Sequence, residues 1–498
     1  MKETIALGTS AARRLKTGVL IGLIALGTAL RFMDLGGRSL WLDEFCTWKV
    51  SRMPWNESIR WGPELTKPPL YQLTLRVVSR EPRPSELVLR LPAAVCGILL
   101  IPVAYWLGRS LAGETVGVAL AGLVAASDFQ IVFSQEARSY SMLALGSAAS
   151  TALWFHLCQD GGWKRVAAYA LTLALTFHTH YLAVLTAVGH GTWWVFRSAM
   201  QQSKVRRAPM VGLLSAGLLC VPMVVHYLMH RTSVLQGLDW IALPTWRSAL
   251  DVMQRISFGP AWIGILALSV VFLVWSARRE RSHSAESGLN GQGGLALAGG
   301  VLLSNWVGLI LISFLGQPAL IDRYAIAASI PAMLIPLAAA RRLDARLPWL
   351  VLSVIVAVGV LDSANRWNGP EPGFRELSRF LDEHARPDRV AVVLATDGRL
   401  PRGWEAMERI AFEYYPLHVA EWHEIRVRVP SDPQDHPIFY DPRGLLVVLF
   451  RADPVPLLQR AGRRIETWEI GGQHLTQLLF SPYRLLKVAP IAGPSAGD

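Results

Sequence analysis

The sequence predicts an α-helical protein with many membrane spans, followed by a small α/β domain. Of its 498 residues, 52% are hydrophobic and only 17% are charged, values far from those of a soluble domain. Apolar runs close to the length of a membrane span recur along the first 365 residues. They predict about eleven transmembrane helices, at 17–32, 87–107, 116–126, 141–157, 166–177, 181–196, 211–228, 262–277, 295–315, 325–340 and 348–361.

The basic residues between these runs predict the orientation in the membrane. Lysines and arginines collect in every second loop, for example at Arg206 and Arg207 and at Arg278 and Arg279. Cytoplasmic loops carry such an excess, so the net charge of +12 reflects topology and not nucleic-acid binding. An odd number of spans then places everything after Asp362 outside.

The hydrophobic pattern changes near residue 365, which predicts two domains, 1–365 in the membrane and 366–498 outside it. In the second domain, short apolar strands alternate with helical stretches, as in an α/β fold. A closing hairpin is expected around Gly471 and Gly472. The predicted strands are 390–395, 425–429, 445–450, 465–470 and 475–480, and the predicted helices are 374–381 and 457–463.

An acidic pair, Asp43 and Glu44, follows the first apolar run within the motif Leu40-Trp41-Leu42-Asp43-Glu44. A carboxylate beside the hydrocarbon boundary is costly unless it is solvated, paired or bound to a metal. The pair is therefore a candidate functional site. The alternative interpretation is an ordinary solvated loop pair.

A lysine in the same outer loop, Lys67, precedes Pro68 and Pro69. The two prolines fix an extended backbone, so the lysine becomes a defined point charge near the bilayer. Such a charge suits a phosphate head group. The alternative is a lysine that only extends its amine from the membrane toward water.

Three further outer segments carry polar side chains beside a predicted span. They are Glu136, Arg138 and Tyr140; His178 and His180; and Asp322, Arg323 and Tyr324. Each segment alone has a simpler explanation, such as an ion pair between neighbours or an interfacial histidine that forms a hydrogen bond. Together, acids, cations and histidines on one membrane face are what a reaction on a charged lipid requires. The stretch 239–258 also predicts a helix in the interface, with a bent aromatic loop as the alternative.

Residues 31–340 resemble the GT-C glycosyltransferases of the protein mannosyltransferase and aminoarabinose transferase type. The chain departs from that pattern before Lys67: the aminoarabinose transferases have Glu-Lys-Pro-Pro, but here Thr66 precedes the lysine and the nearest acid is Glu64. The resemblance rests on five motifs: Leu40-Trp41-Leu42-Asp43-Glu44, Lys67-Pro68-Pro69-Leu70-Tyr71, Leu89-Arg90-Leu91-Pro92-Ala93, Ser134-Gln135-Glu136-Ala137-Arg138-Ser139-Tyr140 and Asp322-Arg323-Tyr324.

The resemblance implies transfer of a sugar from a polyprenyl-phosphate donor to a lipid, polysaccharide or protein acceptor, on the outer face of the bacterial inner membrane. The catalytic residues would be Asp43, as general base, and Glu44. A divalent metal near the acidic loop, as in some relatives, is an open alternative, but His178 and His180 alone do not make a metal site. The remaining implied site residues are Lys67, Arg138 and Arg323 on the donor phosphate, and Glu64, Tyr71, Glu136, Tyr140, His180 and Tyr324 on the substrates.

Other functions fit the sequence less well. A lipid or polysaccharide-precursor transporter usually places ionisable groups near the bilayer midplane, but here they collect at one face. An oligosaccharyltransferase would carry Trp-Trp-Asp in its outer domain, whereas Trp193-Trp194 is followed by Val195 inside a span. A structural membrane protein is the remaining alternative, and a transfer assay would distinguish it from an enzyme.

Overall fold

The computed structural model divides the chain into two compact units. One unit comprises Met1–Leu35, Pro54–Arg80 and Leu87–Trp367, and the other comprises Gly36–Met53, Glu81–Glu86 and Asn368–Asp498. Two stretches between residues 36 and 86 therefore belong to the same unit as the C-terminal residues. The structure describes residues 2–58, 67–201, 207–236, 238, 241–281, 289–367, 374–375, 378, 390–397, 413–415, 422–427, 444–450, 465–468 and 483–488.

Helices account for most of the described chain before residue 368. Each of the predicted apolar runs lies within one of these helices, except that the runs from 181 and 325 begin one or two residues before their helix. The helices are α1 (Lys2–Phe32), α2 (Leu42–Arg52), α3 (Trp55–Ser58), α4 (Leu70–Val78), α5 (Glu86–Ala112), α6 (Glu114–Ala126), α7 (Asp128–Ser134), α8 (Tyr140–Asp160), α9 (Trp163–Thr179), α10 (Ala183–Gln201), α11 (Arg207–Met229), α12 (Arg231–Gln236), α13 (Trp246–Arg255), α14 (Pro260–Arg281), α15 (Leu289–Leu315), the 3₁₀ turn Asp322–Ala325, α16 (Ile326–Leu343) and α17 (Leu347–Trp367).

The protein is a multi-pass membrane protein. Seven helices among the described residues are long and apolar enough to cross a bilayer: α1, α5, α8, α11, α14, α15 and the segment Asp322–Leu343. A pair bent by 59°, α6 and α7, is an eighth candidate, and α17 contains a shorter apolar stretch. The predicted spans in α9 and α10 are helical but are not among these candidates; α9 has 17 residues, and α10 carries His190 and Arg197.

Small residues allow the helices around α6 to approach closely. Every residue from Val116 to Ala126 is buried, so α6 lies inside the bundle. A Cβ atom added to Gly359 of α17 would lie 2.1 Å from the carbonyl oxygen of Ala126, and one added to Gly117 would lie 2.6 Å from that of Tyr105. Glycine is therefore required at both positions, as at many helix contacts in membranes.

The bend between α6 and α7 is stabilised by the end of α1. The fully buried Arg31 donates to the carbonyl oxygens of Val124 (3.0 Å) and Ala125 (3.1 Å) at the end of α6. The side-chain nitrogen Nε2 of Gln135 donates to the carbonyl oxygens of Leu30 (3.1 Å) and Met33 (2.8 Å) at the end of α1 and just after it. Carbonyl groups that the helix ends leave without intrahelical partners are thereby satisfied, and the segment after Gln135 has a defined starting point.

The second unit contains a five-stranded mixed sheet with the order β2-β1-β3-β5-β4. Strands β1, β2 and β3 are parallel to one another, whereas β5 is antiparallel to both β3 and β4. These strands agree with the strand part of the predicted α/β pattern. The strands are β1 (Val390–Asp397), β2 (Trp422–Val427), β3 (Gly444–Phe450), β4 (Ile465–Trp468) and β5 (Tyr483–Val488).

The strand predictions at 390–395 and 445–450 agree with β1 and β3, and the one at 425–429 is three residues too late for β2. The predicted hairpin is different in the structure, because β4 pairs with β5, which begins at Tyr483. The predicted strand 475–480 and the predicted helix 457–463 lie outside the described residues, as does most of 374–381.

Candidate active site

The centre of the candidate site in the first unit is a contact between Lys67 and Tyr140. Lys67 Nζ donates to the hydroxyl oxygen of Tyr140 at 2.8 Å and lies 4.6 Å from the centroid of its ring. Both residues are buried. The prolines after Lys67 lead directly into α4, whose N-cap is Pro69, and Tyr140 is the first residue of α8. The rigid entry to one helix thus places a cation against the start of another.

His180 extends this contact. It is the C-cap of α9, and its ring lies 5.2 Å from that of Tyr324 and 6.2 Å from that of Tyr140. His180 Nδ1 accepts from the backbone N–H of Leu182 at 3.3 Å, so the neutral ring carries its proton on Nε2. Nε2 is buried and has no hydrogen-bond partner in the part of the chain that the structure describes. The site therefore contains a buried donor that a ligand can use.

Three cations surround this histidine. Burial lowers the pKa of His180 well below its usual value, and the charges of Lys67, Arg138 and Arg323 lower it further. The three side chains are themselves buried, at 4% to 8% exposure. We call Lys67, Arg138, Arg323 and His180 the cation cluster. A ligand with several anionic oxygens is the chemical match for such a cluster.

Local turns bring the two arginines of the cation cluster to the starts of two helices. Arg138 lies two residues before α8, where the side chain of Ser141 donates to the carbonyl oxygen of Phe133 at 2.7 Å. Arg323 lies in the 3₁₀ turn before α16, and its own N–H donates to Asp322 Oδ1 at 2.7 Å. Helix N-termini carry partial positive charge, so both arginines add to a field that favours an anion.

The other predicted substrate-binding residues are placed less directly. The hydroxyl of Tyr71 donates to the carbonyl oxygen of Leu89 at 3.1 Å, a contact between α4 and α5. The backbone oxygen of Glu136 accepts from the N–H of Arg138 at 2.7 Å, and its side chain is half-buried. Glu64 lies outside the described residues. Substrate roles for these three residues stay predictions.

The stretch predicted as an interfacial helix contains the helix α13, and its place in the membrane interface stays a prediction. The side chain of Thr245 accepts from the N–H of Ser248 and caps the helix. Val252 and Met253 form its buried face, while Trp246 is exposed. Arg255 Nη1 lies 3.5 Å from Asp322 Oδ2, so α13 contacts the residue next to Arg323. The other tryptophan predicted for this stretch, Trp240, lies outside the described residues.

The acidic pair lies in the second unit, in the first turn of α2, and its two members differ. Glu44 is fully buried, and its Oε2 accepts from the backbone N–H of Trp41 at 3.2 Å, so this carboxylate closes the start of the helix. Asp43 is half-buried, and its backbone oxygen accepts from Thr47. The structure therefore gives Glu44 a capping role that the sequence motif alone did not reveal.

An aromatic cluster holds α2 within the second unit. Phe45 contacts the rings of Phe374, Tyr414 and Tyr415 at centroid distances of 5.3 to 5.9 Å, and Trp48 contacts Tyr414 at 5.1 Å. Trp48 Nε1 also donates to the carbonyl oxygen of Pro82 at 2.8 Å, and Lys49 pairs with Glu413. Sequence reasoning missed this role. The local signal was the adjacent pair Tyr414 and Tyr415 in the C-terminal domain.

A metal site is not evident in the described residues, where no group of three or more His, Cys, Asp or Glu could hold an ion.

His190, in the middle of α10, forms hydrogen bonds with other side chains of the helix bundle. Thr151 Oγ1 lies 3.0 Å from His190 Nε2, and the Tyr169 hydroxyl lies 3.0 Å from His190 Nδ1. Both ring nitrogens are thus used within the bundle, which indicates a structural role.

The chain can be compared with known proteins in sequence and in fold. Residues 66–227 match the family described as dolichyl-phosphate-mannose-protein mannosyltransferase. None of the curated proteins matches the chain in sequence. ArnT from Cupriavidus metallidurans bound to undecaprenyl phosphate is similar in structure, with a TM-score of 0.56 at 13% identity over 96% of this chain and 99% of that one. Its apo form has a TM-score of 0.56 at 14% identity, over 95% and 98% of the two chains.

The chain has the GT-C fold. The resemblance found in the sequence motifs is thereby confirmed. The stretch that matches the mannosyltransferase family contains Lys67, Arg138 and His180. Arg323 and the acidic pair lie beyond that stretch, so their assignment depends on the motifs and on the geometry described above.

Proposed function

We propose that this protein is a membrane glycosyltransferase that moves a sugar from a polyprenyl-phosphate donor to an acceptor. The observation that carries the proposal is the cation cluster, in which Lys67, Arg138 and Arg323 surround the neutral His180. A sugar linked to a polyprenyl phosphate combines an anionic group with a tail that must stay in the membrane. Undecaprenyl phosphate in the similar ArnT structure supports this donor class.

In the proposed reaction, an acceptor hydroxyl oxygen attacks the anomeric carbon of the sugar. The bond between that carbon and the phosphate oxygen breaks, and its electron pair leaves with the phosphate. Lys67, Arg138 and Arg323 would stabilise this charge, since cations already in place need no reorganisation during bond cleavage. The Nε2–H of His180 would add an uncharged donor. The products are the glycosylated acceptor and the polyprenyl phosphate.

The acceptor hydroxyl must also lose its proton, and we propose Asp43 as the base that takes it. Of the acidic pair, Glu44 already caps α2, which supports Asp43 as the base and Glu44 as its structural neighbour. Glu136 is the next candidate in the described chain. Glu64, another acid of the outer loops, is the other reserve candidate.

The proposed site faces the outside of the bacterial inner membrane, together with the C-terminal domain. Helices α8 and α16 both begin at the cation cluster, and α16 ends at Arg341 and Arg342. A helix of 21 residues such as α8 is about 30 Å long, the thickness of the hydrocarbon core. Because basic residues favour the cytoplasm, the opposite end, with the cation cluster, would face outward.

A transporter is the alternative function. Midway along the described helices, His190 forms hydrogen bonds with Thr151 and Tyr169, so both of its ring nitrogens are used within the bundle. The cation cluster instead lies at the N-terminal ends of α8 and α16. This distribution favours an enzyme that acts at a membrane face.

The test is a transfer assay with purified protein in liposomes and a panel of radiolabelled polyprenyl-phosphate sugars. We expect at least one donor to be consumed, with release of polyprenyl phosphate and label on an acceptor from a lipid, glycan or peptide panel. Consumption should be lost when Lys67, Arg138 and Arg323 are all changed to glutamine. Movement of intact donor across the bilayer without release of polyprenyl phosphate would support the transporter instead.

A further inference from the structure

An arginine of the C-terminal domain, Arg375, binds the loop that precedes the acidic pair. Arg375 Nη1 donates to the carbonyl oxygen of Gly37 at 2.9 Å, and Nη2 donates to those of Gly36 and Arg38, each at 3.3 Å. The backbone N–H of Arg375 donates to Ser39 Oγ at 3.2 Å. One residue therefore contacts four consecutive loop positions.

Tyr415 continues the same set of contacts by one residue. Its hydroxyl accepts from the backbone N–H of Leu40 at 3.0 Å and donates to Glu86 Oε1 at 2.8 Å. The same carboxylate oxygen accepts from Arg375 Nε at 3.0 Å and also from Nη2. The pKa of Tyr415 is raised to about 12, mainly by burial. The hydroxyl therefore keeps its proton and remains a donor. We call Arg375, Tyr415 and Glu86 the loop clamp.

The loop clamp ends close to the proposed base. Leu40 is bound by Tyr415, α2 begins at Leu42, and Asp43 is in its first turn. The ring of Phe45, on the next part of α2, packs edge-on against Phe374 at 5.3 Å. Contacts within the second unit therefore hold the residues on both sides of Asp43, and they limit the movement of the backbone between these residues.

We propose that Arg375 and Tyr415 are positioning residues that set the place of the Asp43 carboxylate, and that this is the task of the C-terminal domain. The proposal rests on the proposed function of Asp43. A base must lie within hydrogen-bond reach of the proton that it takes, and a displacement of about 1 Å can cost about 100-fold in rate. The planar guanidinium can bind three carbonyl oxygens and a carboxylate at once, which a lysine ammonium with three donors cannot do.

The first experiment measures the clamp without any activity. Hydrogen–deuterium exchange of the full-length protein should show faster exchange at the Leu40 amide in Tyr415→Phe, because the acceptor of that N–H is removed. Arg375→Lys should raise exchange across residues 36–40. The matched control is Arg83→Lys, a change at an exposed arginine of the same unit. Unchanged exchange in both clamp variants would overturn the proposal.

The second experiment separates positioning from folding and from donor binding. In Arg375→Lys and Tyr415→Phe we expect kcat to fall by about 10- to 100-fold while the KM for the donor stays within about twofold. The effect should disappear in an Asp43→Asn background, since nothing remains to be positioned. A rise in KM at parental kcat, or a full effect in the Asp43→Asn background, would contradict the proposal.

The two experiments also distinguish this proposal from the proposed function. If the parent protein transfers no sugar, the proposed function fails, and the exchange data still decide whether the clamp holds the loop. If Asp43→Asn retains parental activity, the base assignment fails and the positioning proposal fails with it. If only the clamp variants behave like the parent, then the C-terminal domain has another task.

Discussion

Lys67 and Tyr140 lie 73 positions apart in the chain, yet the lysine ammonium donates to the tyrosine hydroxyl and also faces its ring. Contact with both a hydroxyl and an aromatic face orients the ammonium group of Lys67 within the buried site. This favours a phosphate-binding role for Lys67 over a lysine that only reaches toward water.

Replacement of Lys67 should weaken the use of donor. Lys67→Ala removes a buried cation of the cluster, so we expect donor KM to rise by about 10-fold or more. Lys67→Arg keeps the charge but alters its geometry, and should retain part of the activity. The measurement is the initial rate at limiting donor. If Lys67→Ala matches the parent there, the residue has no part in donor binding.

Replacement of Asp43 should reduce the rate of sugar transfer more than replacement of Glu44. Asp43→Asn keeps the size of the side chain but removes the proton acceptor, so transfer should fall by about 100- to 10,000-fold. Glu44→Gln keeps an oxygen that can accept from Trp41 N–H and should cost less. Both variants should insert into the membrane normally, which a protease-protection assay can check. A larger loss at Glu44 than at Asp43 would exchange their roles.

Stability should decline in mild acid because of His180. Its pKa is lowered in the folded state by burial and by the three cations, so the unfolded chain binds more protons below its ordinary value of 6.5. The stability contributed by neutral His180 is therefore present above that value and is lost as the pH falls below it. Thermal unfolding in one detergent at about pH 8 and about pH 5 should show a larger decrease for the parent than for His180→Gln. Parallel decreases in both proteins would contradict this assignment.

The topology can be read from reporter fusions. Fusions after Arg207 and after Arg281 should score as cytoplasmic, and fusions after Arg138 and after Gly398 should score as outside, because basic loops stay in the cytoplasm. The two inner fusions act as controls for expression. A cytoplasmic score for the fusion after Gly398 would be incompatible with an outer C-terminal domain.

Helix packing at Gly359 should tolerate no side chain. An added Cβ would lie 2.1 Å from the carbonyl oxygen of Ala126, so Gly359→Ala must push α17 away from α6. We expect a loss of about 1–3 kcal/mol in unfolding free energy, typical of overpacking. Gly217→Ala is the matched control, since a Cβ there meets nothing within 4 Å. The comparison can be made by detergent unfolding, where equal midpoints for the two variants would refute the close contact.

The sequence allowed the helices and the cation cluster to be predicted because their signals are local. Apolar runs define α5 or α15 by themselves, and Lys67, Arg138 and Arg323 each lie in a short motif at the edge of a run. The loop clamp left no such signal. Arg375 and the carbonyl groups that it binds are more than 330 positions apart, and nothing near Arg375 in the sequence identifies its partners.

The capping role of Glu44 and the register of the last strands were missed for a related reason. A carboxylate three residues after Trp41 can cap a helix or serve in catalysis, and only the backbone geometry distinguishes the two. The pairing of β4 with β5 depends on which of two apolar stretches reaches the sheet edge, a choice that periodicity does not determine.

The second unit is assembled from three separate stretches of chain, Gly36–Met53, Glu81–Glu86 and Asn368–Asp498. Such a unit is not a detachable module. A truncated protein that stops at Trp367 would retain the acidic loop but lose the guanidinium and the phenol that bind it, so it would be a poor minimal enzyme. Likewise, a chimera that takes the C-terminal domain of a relative would need to import that relative's versions of the two earlier stretches as well.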